Sequence, residues 1–502
     1  MRSQSELHNH VRKGRKWLLA AGILTLTTVA SAAILPNLFP FFDPTGIIST
    51  FNAKGPIDES SKNPFFQSLG TNGRSCASCH LASDAFGLSV TSIRSKFFRS
   101  NGADPLFAAV DGANCPDNSS HDPAAHSLLL RHGLIRVAMQ VPSNAQFQIE
   151  AYRDPYGCAS VTDSSGVQTV SVYRRPLPTT NLRYLSAVMF DGRETIQPLT
   201  SAATFQANLL TDLMHQSIDA TLIHAQASAA PTQDQQAAIV NFELGLTSAQ
   251  ALDFPAGWLN RGPALGGPIA LSNQTYYPGS NDSLGADPDG HPFNSSAFSL
   301  YSAWQDSPDQ IHRKIAAGEK LFNTRPLTIS NVRGLTDNAA LAKALGTTVP
   351  IAPFQGFCTT CHDTPNVGNH SLPLALDIGT GHDPAVETDP LIANGVSQLS
   401  FPELPIFKIT GCPDPFADPT EPSATPFVIL TTDPGKGLVT GLCSDVSRTK
   451  GPVLRGLAAR APYFHNGAAR NLSELLDFYN RRFQMNLTAE EKEQLIAFLN
   501  SL

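Results

Sequence analysis

The chain has 502 residues, of which 41% are hydrophobic and 15% are charged, and its formal net charge is −7. This length exceeds what one hydrophobic core supports, and the low charged fraction excludes a disordered chain, so the sequence predicts two or three folded domains. The acidic balance argues against wholesale binding to nucleic acid. The 36 Gly and 38 Pro residues predict many turns and irregular loops.

The N-terminal segment has the pattern of an export signal. Residues 12–16 read RKGRK, an uncharged stretch runs from Trp17 to Ala33, and it contains the small residues Ala30-Ser31-Ala32. This order is typical of a secretory signal peptide, here cleaved after Ala32. An uncleaved membrane anchor is the alternative, because the apolar stretch has the minimum length for spanning a bilayer. Either reading predicts export into an oxidising space where disulfides persist.

Two short motifs carry the strongest chemical signal. Residues 76–80 (CASCH) and 358–362 (CTTCH) share the pattern Cys-x-x-Cys-His. Two thiols at this spacing can each add to one vinyl group of a haem, and the following histidine can then bind the iron. A zinc site needs two further ligands at short spacing, and a thioredoxin-like pair does not explain the histidines. The motifs therefore predict two covalently bound haem c groups, with these attachment residues: Cys76, Cys79, His80, Cys358, Cys361 and His362.

The other four cysteines divide between the two halves of the chain. Cys115 and Cys158 lie in the first half, and Cys412 and Cys443 lie in the second. Of the three pairings that four cysteines allow, pairing within each half is the most economical. Each bond would stabilise its half by about 3–4 kcal/mol on the loop-entropy model. Free buried thiols are the less favoured alternative in an exported chain.

The first half contains stretches with the alternation of β-strands. Residues Ile135 to Val141, Phe147 to Tyr152 and Thr169 to Tyr173 alternate and are rich in Val, Ile and aromatic side chains. They predict a small β insertion at about residues 100–175. A helical stretch is expected from about Asp234 to Phe242.

The second half is framed by two predicted helices. A Gly-, Pro-, Asn- and Ser-rich interval near residues 255–300 places a domain boundary near residue 305. Beyond it, Asp309 to Phe322 has helical spacing of apolar residues. Residues 488–491 (TAEE) form a capping box before an apolar stripe at the C-terminus, which predicts the last helix.

Further segments resemble those of a known family. In the first half, residues 175–181 (RPLPTTN) lead into residues 190–193 (FDGR), and in the second half residues 450–455 (KGPVLR) precede residues 461–467 (APYFHNG). The second pair is similar to the signature K-x-P-x-L-R … PYFHDG. With the two haem motifs, these segments resemble the bacterial di-haem cytochrome c peroxidase family, which includes the MauG-type enzymes. The resemblance covers most of residues 66–500.

The expected fold is mainly α, with two tandem cytochrome c-like haem domains, long loops and the small β insertion in the first domain. The expected bounds are a signal peptide at 1–32, an N-terminal arm at 33–65, a first haem domain at 66–305 and a second haem domain at 306–502. The resemblance implies a periplasmic enzyme whose first haem reduces hydrogen peroxide and whose second haem transfers electrons. It also implies a small redox protein, a cytochrome c or a cupredoxin, as electron donor, often a calcium ion between the domains, and a homodimer.

The resemblance assigns His80 and His362 as the proximal iron ligands. The position of the second haem's other ligand, Met in classical peroxidases, falls on Tyr479, as in the MauG-type enzymes, whose ligand is Tyr. Met485 is the competing candidate. A thioether favours reduced iron and a high potential, whereas a phenolate favours ferric iron, so the choice changes the chemistry. The alternative for Tyr479 is a structural role, packing in the core beside Phe478.

The first haem's surroundings depart from the family pattern. Peroxidases of the family carry a Gln just before the Asp-Gly-Arg run and a Glu after it, which assist cleavage of the peroxide O–O bond. Here the Gln is absent and the Glu position falls on or near Pro198. Arg193, Glu194 and Gln197 are the candidate catalytic residues, with solvated turn residues as the alternative for Glu194 and Gln197. The family's bridging Trp is also missing, and Tyr173 is the nearest aromatic residue.

Other polar residues give weaker signals. His224 or His215 is a candidate distal ligand of the first haem, although a hydrogen-bonded structural role and an open, five-coordinate iron are the alternatives. His465 is expected to hydrogen-bond near the second iron. Residues 287–290 (DPDG) resemble a fragment of a calcium loop but lack its later Glu, which favours a simple turn. Two other functions compete with peroxide reduction: an electron carrier that meets no substrate, and MauG-like oxidation of a partner protein.

Overall fold

The computed structural model describes residues 34–60, 62–385, 387, 389–397, 399, 403–416 and 427–502. The signal peptide expected at residues 1–32 lies outside these ranges. Within them, no helix is both long enough and apolar enough to span a membrane.

The described residues form a mixed structure, with 32% helix and 15% strand, rather than a mainly helical one. The helices are α1 (Val90–Ser100), α2 (Ala109–Gly112), α3 (Ser127–His132), α4 (Phe205–Asp219), α5 (Gln233–Gly245), α6 (Gly267–Ser272), α7 (Gln310–Thr324), α8 (Ala339–Ala344), α9 (Pro390–Val396), α10 (Gly437–Thr440), α11 (Leu472–Arg482) and α12 (Ala489–Asn500). A π-helical turn, Ala220–His224, continues α4.

The strands form small antiparallel sheets. They are β1 (Ile34–Leu35), β2 (Phe41–Phe42), β3 (Gly46–Asn52), β4 (Ile57–Asp58), β5 (Ile135–Gln140), β6 (Gln148–Arg153), β7 (Ser160–Thr162), β8 (Gln168–Arg174), β9 (Leu246–Asp253), β10 (Gly257–Trp258), β11 (Leu327–Ile329), β12 (Phe354–Gly356), β13 (Ile406–Thr410) and β14 (Ile429–Thr431). The sheet orders are β1-β4, β10-β9-β3-β2, β11-β12, β14-β13-β6 and β5-β8-β7.

The helices predicted in the second half are confirmed, and they pack on each other. Asp309 caps α7 by accepting hydrogen bonds from two backbone N–H groups of its first turn. The capping box at the start of α12 is present, with Thr488 and Glu491 as its members. The two helices cross closely at Gly318, where a Cβ atom would lie 2.0 Å from the Gln494 carbonyl oxygen. Only glycine fits at this crossing.

The strands predicted in the first half are also confirmed, and the structure supplies their pairing, which the sequence did not predict. Strands β5 and β8 pair in one small sheet, whereas β6 pairs with β13 of the second half, with Ile149 opposite Ile409. The β insertion is therefore not confined to the first half. Apolar side chains of both halves, including Phe147, Val172 and Phe407, form one buried cluster between these sheets.

A sheet that was not predicted joins the start of the described chain to its middle. Strand β3 pairs antiparallel with β9 from Gly46 opposite Asp253 to Asn52 opposite Leu246. Strand β9 follows α5, which confirms the predicted helical stretch and ends at Gly245. The segment expected to form an N-terminal arm thus contributes the inner strand of a four-stranded sheet.

The largest hydrophobic core draws on both halves. It contains Tyr173, Leu259 and Tyr301 together with Ile315 and Phe498 of α7 and α12. Residues that precede position 305 therefore pack in the same core as the second half. The boundary near residue 305 and the tandem arrangement stay predictions.

Both disulfides are present as predicted. Cys115 bonds to Cys158 with a Cα–Cα distance of 5.9 Å, and Cys412 bonds to Cys443 with a Cα–Cα distance of 5.4 Å. The first bond ties the loop after α2 to the start of β7. The second lies beside β13 and belongs to the cluster that links the two halves.

Candidate functional site

The two Cys-x-x-Cys-His motifs fold into the same turn. Each begins with a single 3₁₀ turn, at Cys76–Ser78 and at Cys358–Thr360. In the first motif the backbone N–H of Ser75 donates to the Ser78 hydroxyl oxygen. In the second the backbone N–H of Phe357 donates to the Thr360 hydroxyl oxygen. The turn places both thiols and the histidine at one cavity wall.

The histidine of each motif is held through the same ring nitrogen. Nδ1 of His80 lies 3.2 Å from the Phe86 carbonyl oxygen, and Nδ1 of His362 lies 2.8 Å from the Gly368 carbonyl oxygen. A carbonyl oxygen accepts only from an N–H, so Nδ1 carries the proton and Nε2 keeps its lone pair. Burial lowers the pKa of His80 to about 4 and also lowers that of His362, which keeps both rings neutral. A neutral imidazole anchored through its other nitrogen is the usual form of a metal ligand.

The four motif cysteines are free thiols. None of them takes part in a disulfide with another described residue. Burial raises the pKa of the Cys79 thiol to about 11 and that of the Cys361 thiol to about 12, so neither is a reactive thiolate at neutral pH. Two unbonded thiols that lie side by side at a cavity wall fit thioether attachment of a haem. They do not fit a redox disulfide.

The first motif opens onto a mostly apolar cavity of about 1360 Å³, its open mouth included. Apolar side chains from several segments line it, including Leu69, Leu182, Val188, Leu213, Ile239 and Val453. Its polar lining includes Arg74, Asp111, Gln216, His224 and Glu243.

The second motif opens onto a similar cavity of about 1510 Å³, its open mouth included. The lining is again mostly apolar and includes Phe322, Leu335, Leu376, Leu454, Leu472 and Leu495. Tyr479 and Met485, the two candidate ligands, both line this cavity. Their assignment as alternatives therefore stays open. Burial raises the pKa of the Tyr479 hydroxyl well above its usual range, so the phenol is neutral in the protein alone.

Lys450 lies in the wall that the two cavities share. It lines both of them and is 4% exposed. Its ammonium group has no hydrogen-bond or ion-pair partner among the described residues. Burial and the nearby Arg460 guanidinium lower the pKa of Lys450 to about 8. A buried cation without a partner is costly, and the carboxylates of a bound haem would offset that cost.

The candidate catalytic residues of the first haem lie outside the described lining of its cavity. Asp191, which precedes them, is fully buried and pairs with Arg193 at 2.9 Å. Glu194 is buried and accepts a hydrogen bond from the His215 ring at 2.7 Å. The backbone N–H of Gln197 donates to Asp212. The catalytic role of Arg193, Glu194 and Gln197 stays a prediction.

The structure separates the two histidines that competed as distal ligand. His215 pairs with Glu194 and does not line the first cavity, whereas His224 does. Nδ1 of His224 lies 2.5 Å from an Asp111 carboxylate oxygen. No described residue bonds to its Nε2. His224 shares this anchoring through Nδ1 with His80 and His362.

Sequence reasoning missed Gln216 and Glu243 in the first cavity. One face of α4 and its π turn lines the cavity, with side chains that recur at i, i+3 and i+4: Leu213, Gln216, Ser217, Ala220, Thr221 and His224. Reading that face as a unit, rather than each histidine alone, would have indicated Gln216. Glu243 lies on α5 and is 3% exposed. A single Glu in a helical stretch gives no comparable signal.

Two weaker candidates remain, His465 and residues 287–290. His465 is buried at the second cavity, and its Nε2 lies 3.8 Å from an Asp433 oxygen. Asp287 accepts hydrogen bonds from the backbone N–H groups of Asn281 and Asp289, which makes residues 287–290 a turn. Calcium between the domains stays an expectation from the resemblance, without assigned ligands.

Comparisons with known proteins add partial matches. No family model matches the chain. Cytochrome-c peroxidase IdrP2 of Denitromonas iodatirespirans is 26% identical over 173 residues, which are 33% of this chain and 41% of that protein. Cytochrome-c peroxidase IdrP1 of Pseudomonas sp. (strain SCT) is 37% identical over 81 residues, which are 14% of this chain and 21% of that protein. The chain thus spans less than half the length of each relative.

One solved structure, of a MauG-like protein associated with microbial copper homeostasis, is 15% identical to the chain. The match covers 94% of this chain and 93% of the chain of that structure, with a TM-score of 0.34.

Two Cys-x-x-Cys-His turns, each opening onto a mostly apolar cavity, fit covalent attachment of haem c. The two cytochrome-c peroxidase relatives support the di-haem peroxidase and MauG family that the sequence motifs indicate.

Proposed function

We propose that the chain is an exported di-haem c-type oxidoreductase that reduces hydrogen peroxide with electrons from a small redox protein. The first haem is the site of peroxide reduction, and the second receives electrons from the donor. The donor belongs to the class of small cytochromes c or cupredoxins, and the compartment is the periplasm. The two haem domains are residues 66–305 and 306–502, with calcium and a homodimer as further expectations of the family.

The observation that supports this proposal most is the arrangement of the two cavities. Each opens onto one Cys-x-x-Cys-His turn, and both are lined by Lys450. One side chain that borders both haem sites implies a short path between them. A short path suits electron transfer from a second haem to a first.

The residues present fit two covalent haem groups. Cys76 and Cys79 would hold the first through thioether bonds, with His80 as its proximal ligand. Cys358, Cys361 and His362 would hold the second in the same way. When bound, the haem supplies the redox chemistry, whereas the protein supplies ligation, polarity and access.

The overall reaction consumes one peroxide, two protons and two electrons and yields two waters. The chain's own residues orient the histidine ligands, exclude bulk water with apolar walls, and provide polar contacts at the first cavity through Gln216 and His224. Because the Gln and Glu of family peroxidases are absent, other residues must move the protons.

Tyr479 is the proposed second ligand of the second haem, with Met485 as its competitor. Tyr479 belongs to α11 and stacks on Phe483, with ring centroids 5.8 Å apart. A tyrosine ligand at this cavity also favours the second candidate function, MauG-like oxidation of a partner protein. For that function the two haem groups, when bound, would have to store oxidising equivalents until the partner protein is oxidised.

The test is a combined optical and EPR titration of the purified holoprotein, oxidised and half-reduced, followed by one equivalent of hydrogen peroxide. We expect one high-spin haem that reacts rapidly with peroxide and one low-spin haem whose spectrum reports phenolate or thioether ligation. Two low-spin haems that do not react with peroxide would overturn the proposal and leave an electron carrier. Accumulation of a long-lived species with both haems oxidised above the ferric state would instead favour the MauG-like function.

A further inference from the structure

Three side chains form a buried relay at the wall of the first cavity. Arg74 and Asp111 are 3% and 4% exposed, and they form an ion pair through Nη1 and Oδ1. The other carboxylate oxygen of Asp111 lies 2.5 Å from Nδ1 of His224. All three residues line the cavity of the first Cys-x-x-Cys-His turn. The relay thus runs from a fixed guanidinium to an imidazole at the haem site.

The Asp111 carboxylate fixes the orientation of the His224 ring. A carboxylate accepts hydrogen bonds, so Nδ1 of His224 donates to Asp111, and Nε2 is the ring nitrogen that no described residue bonds. Arg74 and the His224 pairing hold the pKa of Asp111 below its usual value despite its burial, so the carboxylate stays ionised. An ionised partner at Nδ1 stabilises the imidazolium that forms when Nε2 takes up a proton.

The backbone around His224 is fixed as firmly as its side chain. The His224 carbonyl oxygen accepts hydrogen bonds from Asn72 Nδ2 at 2.8 Å and from Arg74 Nη1 at 3.2 Å. Arg74 is itself held by the carbonyl oxygens of Pro105 and Leu106, each at 2.7 Å. The π-helical turn that ends at His224 is therefore tied to the segment just before Cys76. π-Helical turns are frequently found at functional sites.

Other titratable groups at the described lining of this cavity are less suited to proton transfer. His80 is the proximal ligand of the motif, and Arg74 and Asp111 are paired. Burial raises the pKa of Glu243 to about 8, so this group keeps its proton at neutral pH. Lys450 also lines this cavity, and its pKa of about 8 leaves it mostly protonated at neutral pH. Nε2 of His224 is therefore the lining nitrogen that we assign to proton transfer.

We propose that His224 is the proton-transfer group for hydrogen peroxide in the first cavity, and that Asp111 and Arg74 are its positioning residues. The proposal rests on the proposed function. Nε2 of His224 takes the proton from one peroxide oxygen and returns it to the other, which leaves as water when the O–O bond breaks. The two electrons come from the redox donor, and two further protons from solvent complete the second water. His224 thereby replaces the absent Gln and Glu of family peroxidases.

The test uses the holoprotein and three variants. His224→Gln removes the base but leaves the Arg74–Asp111 pair intact, Asp111→Asn removes the charge behind the imidazole, and His121→Gln, at an exposed position, is the control. Stopped-flow spectroscopy measures the rate of reaction of the half-reduced protein with peroxide. EPR of the oxidised protein measures the spin state of the first haem, and haem content per chain checks assembly.

We expect His224→Gln to slow the peroxide reaction by about 10²–10⁴-fold, the range of general acid–base catalysis. Asp111→Asn should slow it less, and His121→Gln should leave it unchanged. The first haem should stay high-spin in wild type and in all variants, with unchanged haem content. A positioning role for Asp111 is supported only if its variant keeps that spin state while the rate falls.

Two results would overturn the inference and leave the proposed function standing. One is a His224→Gln protein that reacts with peroxide as fast as wild type. The other is a low-spin first haem in oxidised wild type that turns high-spin in His224→Gln, because His224 would then be an iron ligand. A wild-type protein that does not react with peroxide at all would instead overturn the proposed function itself.

Discussion

Glu243 is a carboxyl group whose burial should appear in the pH dependence of stability. It is 3% exposed, no described residue bonds to its side chain, and burial raises its pKa to about 8 from an unfolded value of 4.5. Between these two values the unfolded chain releases the proton while the folded protein keeps it, so stability falls as pH rises through this window. Replacement by Gln removes that loss. We compare the free energy of unfolding of Glu243→Gln with that of wild type. We expect this difference to rise in favour of the variant by at least about 1 kcal/mol from pH 5 to pH 8.

Urea denaturation of wild type and Glu243→Gln at pH 5 and pH 8 measures this difference. Glu490→Gln, at an exposed position in the first turn of α12, is the matched control, and its difference from wild type should change little between the two pH values. A Glu243→Gln difference that is equal at pH 5 and pH 8 would show that Glu243 is ionised in the folded protein.

At the residue scale, the sequence predicts what depends on local spacing. The Cys-x-x-Cys-His turns are local, so their geometry followed from the chain itself. Tyr479 was a candidate only through the family resemblance, and it lines the second cavity. Asp111 and His224 are 113 residues apart, and their contact depends on how α2 and the π turn pack. No local pattern reports such a pair. The same holds for Lys450, whose place in both cavities needs the assembled fold.

Strand β13 is the element that links the β insertion to the second half, and Phe407 is its central buried side chain. Phe407 is fully buried and lies opposite Ala151 of β6 and Thr431 of β14. Truncation to alanine leaves a cavity between the sheets, which typically costs about 3–5 kcal/mol. We expect Phe407→Ala to lower the free energy of unfolding by that amount in chemical denaturation, with haem content unchanged.

Tyr152→Ala is the control for this prediction, because Tyr152 lies on the adjoining strand β6 but is 57% exposed. It should change the free energy of unfolding by less than about 0.5 kcal/mol. A Phe407→Ala change in the free energy of unfolding as small as that of Tyr152→Ala would mean that the cluster around Phe407 does not contribute to stability.

At the element scale, periodicity predicted the helices α7 and α12 and the strands β5, β6 and β8. It did not predict that β6 pairs with β13, since alternation identifies a strand but not its partner. Strand β9 was missed for a different reason. Its sequence, LTSAQALD, has few β-branched or aromatic residues and its residues are nearly all buried on both faces, so neither composition nor alternation identifies a strand there.

At the scale of the whole molecule, a buried ion network links the first half of the chain to the second. Arg174 of β8 donates to Asp433 through Nε at 2.6 Å and through Nη2 at 2.9 Å, and its Nη1 pairs with Asp191. All three residues are at most 3% exposed. Asp433 lies 3.8 Å from Nε2 of His465, which lines the second cavity, so the network reaches that site through His465. It couples the position of the first half to the site in the second.

We expect Arg174→Gln to destabilise the protein by about 3–5 kcal/mol, because it leaves two buried carboxylates without their cation. The network should also appear in acid. The Arg174 guanidinium, with Arg193, lowers the pKa of Asp191 to about 2, and it also lowers that of Asp433. A carboxyl group whose pKa is lowered in the fold stabilises the protein above its unfolded value near 3.8, and this contribution is lost as pH falls towards 2. In Arg174→Gln both pKa values rise, so the variant should be destabilised relative to wild type most strongly at neutral pH and least near pH 2.

Guanidinium denaturation at pH 7 and acid titration followed by circular dichroism measure these effects. Arg470→Gln is the matched control, because Arg470 forms its ion pair with Glu474 on the surface with 80% of its side chain exposed, and an exposed pair contributes little. An Arg174→Gln protein as stable as wild type at neutral pH would mean that the carboxylates find other partners or take up protons at no cost. The two halves would then be coupled by apolar packing and the β6–β13 sheet alone.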